Sequence, residues 1–226
     1  PEWHIQDDLL KLLKKDNVEF KPVMGRKKVL KKGWHMMIAH PPCTFLAVSG
    51  AKWFYHPDDS HLPFEERRPH PKYPNRRKDQ KDALKFIKKI LNAPVEKIAL
   101  ENPIGVISTA IRKPDQVVQP YMFGDAATKT TCLWLKNLPL LTPTSQGEVD
   151  KGERIYFKSG KSQPRWYSDA FVKAKTAAER QTLRSKTFEG IAEAFAYQWA
   201  GLCTKQKKPK WLTKDKMIKP EHLLFS

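Results

Sequence analysis

The sequence predicts an α/β fold built on an open sheet, and three observations carry that expectation. Two short apolar runs, Trp34-His35-Met36-Met37-Ile38-Ala39 and Ile98-Ala99-Leu100, have the length and composition of buried strands. A stretch of helical period lies between them, with Leu84, Ile87, Ile90 and Leu91 on one stripe. Each apolar run stops at a polar corner containing proline, His40-Pro41-Pro42-Cys43 in one case and Glu101-Asn102-Pro103 in the other. In open α/β sheets, ligands sit just outside the carboxyl ends of the strands.

The elements follow in chain order. Residues 8–15 mix leucine and lysine as a short amphipathic helix, with Asp8 placed to cap it before Leu9. From 21 to 32 the chain is rich in lysine and broken by Pro22 and Gly25, which reads as a loop. Residues 45–75, after the first strand, are aromatic, basic and interrupted by proline, the composition of a long excursion. Asp79 is the expected cap of the helix that runs to about Asn92 and stops at Ala93-Pro94. Thr131-Cys132-Leu133-Trp134-Leu135 is a third strand. A last helix is expected near 188–202, where Phe188, Ile191, Ala192, Phe195, Ala196 and Trp199 recur at helical spacing. The expected organisation is a core over 1–141 with a long loop at about 44–78, then a small insertion over 142–182. A helix over 183–202 then returns to the core, and a basic tail follows over 203–226.

Composition bounds the function classes. With 226 residues, 40% hydrophobic and 11% aromatic, the chain can bury a core, despite a mean hydropathy of -0.63. No run approaches the ~20 apolar residues of a membrane span, and no apolar leader is visible, so a cytoplasmic location is expected. Cys43, Cys132 and Cys203 lie far apart, a spacing that suits neither a disulfide framework nor a structural zinc cluster. His56, His61 and His70 match no ligand spacing, so no metal is expected. The net charge of +18 is spread along the chain, with ten basic and four acidic residues over 151–190 and seven against two over 203–226. Such a field attracts polyanions, and nucleic acid is the partner expected from it, a merely basic surface being the plainer alternative.

Two residues stand out as chemistry. Cys43 follows two prolines that fix two φ angles and remove two backbone donors, so a thiol there is rigidly presented and placed to attack. A small hydrophobe at a strand edge is the other reading. Glu101 holds the equivalent place after the next strand, and two neighbouring strands would bring thiol and carboxyl to one crevice. A nucleophile beside a carboxyl that holds or donates a proton suits addition to an electron-poor heteroaromatic ring. Glu101 as the cap of a turn is the alternative.

His40-Pro41-Pro42-Cys43 and Glu101-Asn102-Pro103 resemble the Pro-Cys and Glu-Asn motifs of DNA cytosine-C5 methyltransferases, in particular the short branch encoded by phages. The likeness continues through Gln116-Val117-Val118-Gln119-Pro120-Tyr121-Met122-Phe123-Gly124, the strand at 131–135 and Leu183-Arg184-Ser185-Lys186-Thr187-Phe188-Glu189-Gly190-Ile191-Ala192, and so spans roughly residues 4–200. The resemblance implies a Rossmann-like methyltransferase sheet with a small target-recognition insertion, acting in a bacterial or phage-infected cell. It implies that Cys43 attacks C6 of a cytosine flipped from DNA, which makes C5 nucleophilic toward the methyl group of S-adenosylmethionine. Glu101 would hold the N3 edge and Asn102 would position that loop. Pro41 and Asp8 would lie against the cofactor, Asp8 near its adenine, with helix capping as the alternative role of Asp8.

Two features depart from that family. No Phe-x-Gly-x-Gly cofactor loop occurs in the sequence, so the cofactor site would be completed by a preceding segment or a partner chain, and the 226 residues alone would bind S-adenosylmethionine weakly. The family's Gln-x-Arg-x-Arg segment is matched only by Lys129 within Ala127-Thr128-Lys129-Thr130-Thr131. Expected nucleic-acid contacts are Lys52, Trp53, Arg67, Arg68, Arg76 and Arg77 in the aromatic and basic loop, with Lys129, Arg165 and Arg184 further on. A solvated loop with Trp53 and Phe54 tucked into the core is the alternative for the first group. The rival function is a methyltransferase fold that binds DNA or RNA without chemistry, and a weaker one is modification of a free pyrimidine nucleotide.

Overall fold

The computed structural model describes residues 5–13, 18–21, 26, 28–30, 33–185 and 187–201. The expected tail over 203–226, with Cys203, lies outside them. The chain forms two compact units, one made of Pro1–Val118 and Thr130–Leu138, the other of Gln119–Lys129 and Pro139–Ser226. The expected boundaries lie after 141 and 182.

The first unit opens with α1 (Leu9–Leu12), where the Asp8 carboxylate accepts the Leu10 N–H at 2.9 Å as the N-cap. β1 (Val18–Phe20) and β2 (Lys28–Leu30) then pair antiparallel, Val18 opposite Leu30. The expected loop over 21–32 thus includes one arm of a hairpin. Its partner arm carries a period-2 pattern, Val18 and Phe20 buried on either side of exposed Glu19, too short to stand out in the sequence.

The main sheet is mixed and four-stranded. It contains β3 (Met36–Ala39), β4 (Lys97–Pro103), β5 (Gln116–Val118) and β6 (Thr131–Lys136) in the order β3-β4-β6-β5. β3 and β4 run parallel, and β6 is antiparallel to both β4 and β5. The crossover between β3 and β4 carries α2 (Arg76–Leu91), which presents Ile87 and Ile90 to Met37, Ile98, Leu100 and Trp134. Fully burying one such side chain stabilises the fold by about 1.5–3 kcal/mol. Trp134 satisfies its buried Nε1–H on the Arg112 carbonyl at 2.8 Å. A single turn, α3 (Ile107–Ala110), follows β4.

Two boundaries differ from expectation. Helix α2 begins at Arg76, two residues after Pro74, and Asn75 occupies the cap position without a side-chain bond. Asp79 therefore lies inside the first turn, its N–H on the Asn75 carbonyl at 3.0 Å, where its charge still complements the helix dipole. Strand β4 does not stop at Leu100. It runs on through Glu101, Asn102 and Pro103, opposite Leu133, Cys132 and Thr131, because β6 supplies a continuous antiparallel partner and a donorless proline is tolerated at the strand's end.

The excursion after β3 holds only two 3-10 turns, Val48–Trp53 and Pro57–Asp59. It is organised around Asp59, which is 2% exposed and accepts both the Arg68 N–H at 2.8 Å and its guanidinium at 2.6 Å. The Arg68 guanidinium lowers the Asp59 pKa to about 2.

In the second unit, β7 (Arg154–Tyr156) and β8 (Ser162–Pro164) form a hairpin beside α4 (Arg165–Lys173), with Gln163 Nε2 donating to Ser168 Oγ. Helices α5 (Ala177–Ser185) and α6 (Glu189–Ala194) follow, and a π-helical turn at Phe195–Trp199 prolongs α6. This last helix packs within the second unit. It seats on the Pro120–Phe123 turn of its own unit, where a Cβ at Gly190 would come within 1.9 Å of the Phe123 carbonyl. Among the described residues, no helix is long and apolar enough to cross a membrane.

Candidate active site

Parallel pairing of β3 and β4, with Ala39 opposite Leu100, brings the His40-Pro41-Pro42-Cys43 corner beside Glu101 and Asn102. Asn102 is 1% exposed, and its Nδ2 donates to the Pro41 carbonyl at 3.0 Å, tying the two motifs together. Its Oδ1 is buried with no partner among the described residues. His40 Nδ1 lies 3.4 Å from Glu101 Oε2, a contact between a half-exposed imidazole and a largely covered carboxylate. His40 thus stands against the Glu101 carboxyl.

Cys43 is an exposed thiol. Its carbonyl closes a turn by accepting the Leu46 and Ala47 N–H groups, both at 2.9 Å. The chain beyond the thiol is fastened to the chain beyond Asn102. Val106 N–H donates to the Leu46 carbonyl at 2.9 Å, and Val48 N–H to the Ile104 carbonyl at 3.1 Å. Position 105 must be glycine for this approach, since a Cβ there would meet the Leu46 carbonyl oxygen at 1.9 Å. Cys132, opposite Asn102 on β6, is buried, and burial together with the Glu101 charge raises its pKa. The two described cysteines thus differ in kind, and the accessible one is Cys43.

Of the expected residues, Pro41 and Cys43 lie in the segment that follows β3, and Glu101 and Asn102 lie within the neighbouring strand β4. Asp8 is not with them, because it caps α1. Beside that helix lies a cavity of about 460 Å³ lined by Leu9, Leu12, Trp34, Met36 and Ile38 with the Asp7 carboxylate. Pro41 does not line it. Of the expected nucleic-acid contacts, Lys52 stacks over Trp53 at 4.8 Å, and Trp53 packs edge-on against His70 and Tyr73. Arg67 donates to the Leu62 and Ser60 carbonyls, Arg68 to Asp59, and Arg77 to the Arg67 carbonyl, so these three brace the loop internally. Arg76 is 7% exposed, which corrects its expected place at the surface. In the second unit, Lys129 reaches the Phe188 ring at 6.0 Å, Arg165 pairs with Glu153 at 3.2 Å, and Arg184 stacks on Tyr167 at 4.2 Å.

Two residues of interest were not singled out from the sequence. His40 was visible only as part of its motif, and its contact with Glu101 depends on the parallel register. Trp34 read as the start of a strand but walls the cavity instead. Comparison with family models, curated proteins and solved structures finds no match to this chain.

Proposed function

We propose that this chain methylates C5 of a cytosine extruded from DNA, with S-adenosylmethionine as the methyl donor. The observation that carries the reading is the exposed Cys43 thiol in the segment after β3 and the Glu101 carboxyl beside His40 in the adjacent parallel strand β4, with Asn102 bonded to Pro41 between them. Cys43 Sγ adds to C6 of the ring, and N3 takes up a proton as electron density moves toward C5. Glu101 holds that N3 edge, and His40 fixes the orientation of its carboxyl. When bound, S-adenosylmethionine supplies an electrophilic methyl group. Solvent then takes the C5 proton, the C5–H electron pair expels the Cys43 thiolate from C6, and N3 gives up its proton, which restores the aromatic ring.

The cavity beside α1 fits the nucleoside half of that donor. Trp34 and the aliphatic side chains suit a purine face, and Asp7 suits ribose hydroxyls. Among the described residues, no glycine or cation lines it to receive a methionine carboxylate. That lining supports a second reading, a methyltransferase-like fold that grips DNA or RNA through its +18 charge without chemistry.

Incubation with DNA containing 5-fluorocytosine and S-adenosylmethionine separates the two. Fluorine cannot leave C5 as a proton does, so the enzyme reading gives an adduct that survives denaturation and disappears in Cys43→Ser. Retention of DNA with no adduct in the wild type leaves the binding reading in its place.

A further inference from the structure

The carbonyls that follow the Cys43 thiol are held from outside their own turn. Arg76 Nη2 donates to the Thr44 carbonyl at 2.7 Å, and Gln80 Nε2 to the Phe45 carbonyl at 2.9 Å. These two residues are four apart on α2, so they stand one above the other on one face of the helix and grip two successive peptide units.

Arg76 is an unusual residue for a merely structural clamp. It is 7% exposed, its Nε is buried without a partner, and among the described residues no carboxylate forms an ion pair with it. Three rings surround the guanidinium instead, Phe45 at 5.2 Å, Phe54 at 5.0 Å and Tyr73 at 5.9 Å. Room for it depends on Gly50, where a Cβ would stand 2.6 Å from Nη2. A buried cation with no carboxylate in contact is costly, and a neutral side chain could fill the same space. What the guanidinium adds is a planar donor that stacks on rings while gripping the carbonyl directly after Cys43.

We propose that Arg76, supported by Gln80, is a positioning residue that sets the direction in which the Cys43 thiol is presented. This rests on the reading of Cys43 as the nucleophile only where methyl transfer is measured. The clamp itself acts on the thiol whether or not the chain transfers methyl groups.

The test uses Arg76→Met, Arg76→Lys, Gly50→Ala and Gln80→Ala, each checked for folding by circular dichroism. Two quantities are read, the rate of Cys43 alkylation by iodoacetamide across pH and the kcat and KM for DNA methylation. A folded Arg76→Met should lose about tenfold to a hundredfold in kcat at nearly constant KM, the cost of a misdirected reacting group. Its Cys43 alkylation profile should shift as well. Arg76→Lys should recover part of both losses, and Gly50→Ala should reproduce them with Arg76 intact. A folded Arg76→Met with wild-type alkylation and kcat overturns the proposal, and so does a raised KM at unchanged kcat, which would mark a DNA contact. Should Arg76→Met fail to fold, Gly50→Ala and Gln80→Ala decide by the same two measurements. Should the wild type transfer no methyl group, a shifted alkylation profile upholds the clamp while the proposed function fails, and an unshifted profile overturns the clamp.

Discussion

Asn102 and Pro41 are 61 residues apart in the chain and share one hydrogen bond, Nδ2–H to carbonyl oxygen, at 3.0 Å in a buried setting. That bond joins the strand end that carries Glu101 to the corner that presents Cys43. A side chain, not a further ladder bond, makes the connection, because proline at 41 and 42 leaves no backbone N–H for a partner strand.

Asn102→Ala should therefore destabilise the fold by about 1–2 kcal/mol, since the buried Pro41 carbonyl loses its donor. Asn102→Asp should cost more, because it sets a buried carboxyl oxygen against that carbonyl. Urea unfolding of the three proteins measures both differences. Equal midpoints for all three would show that the bond contributes nothing.

The two described cysteines should react very differently. Cys43 is exposed, whereas the Cys132 thiol is buried and its pKa raised by burial and by the Glu101 charge. Brief treatment of the native protein with iodoacetamide at neutral pH should modify Cys43 and spare Cys132, as read from peptide masses. Denaturation should expose Cys132. Equal labelling of both in the native state would contradict the buried placement of β6.

Acid should loosen the loop that follows Cys43. The Asp59 carboxyl titrates at about 2 in the folded chain against an ordinary 3.8, held down by the Arg68 guanidinium. Between those values the unfolded chain binds more protons than the folded one, so falling pH favours unfolding. The contribution is complete above the ordinary value and is lost as pH drops toward the folded one. Wild type should exceed Asp59→Asn in stability at pH 5, and the gap should narrow below about pH 4 and close toward pH 2. A gap independent of pH over that range would remove the ion pair as its cause.

Nucleic-acid binding should be governed by charge. Log affinity should fall with log salt at a slope of about −0.9 per phosphate neutralised. Removal of residues 205–226, which hold seven lysines against two acidic residues, should flatten that slope. Fluorescence anisotropy with a labelled duplex at several salt concentrations measures it, and affinity indifferent to salt would refute the electrostatic account.

The sequence by itself determined the elements whose signal is local. The apolar run before Pro41-Pro42, the stripe of Leu84, Ile87, Ile90 and Leu91, and the strand around Trp134 all fold where their hydrophobic period places them, because burial of those faces drives each element. The sequence read Cys43 and Glu101 as two polar corners following two strands, whereas Glu101 lies within β4. Only the tertiary structure decided what depends on register and on distant partners. The extension of β4 to Pro103 required β6 alongside it, and the contact of His40 with Glu101 required β3 and β4 to align Ala39 with Leu100. Arg76 reads in the sequence as one more cation in a basic loop. Its burial became visible only when three rings and a glycine, drawn from positions 45 to 73, closed around it. Charge is a property of the residue, but whether that charge meets solvent is a property of everything packed against it.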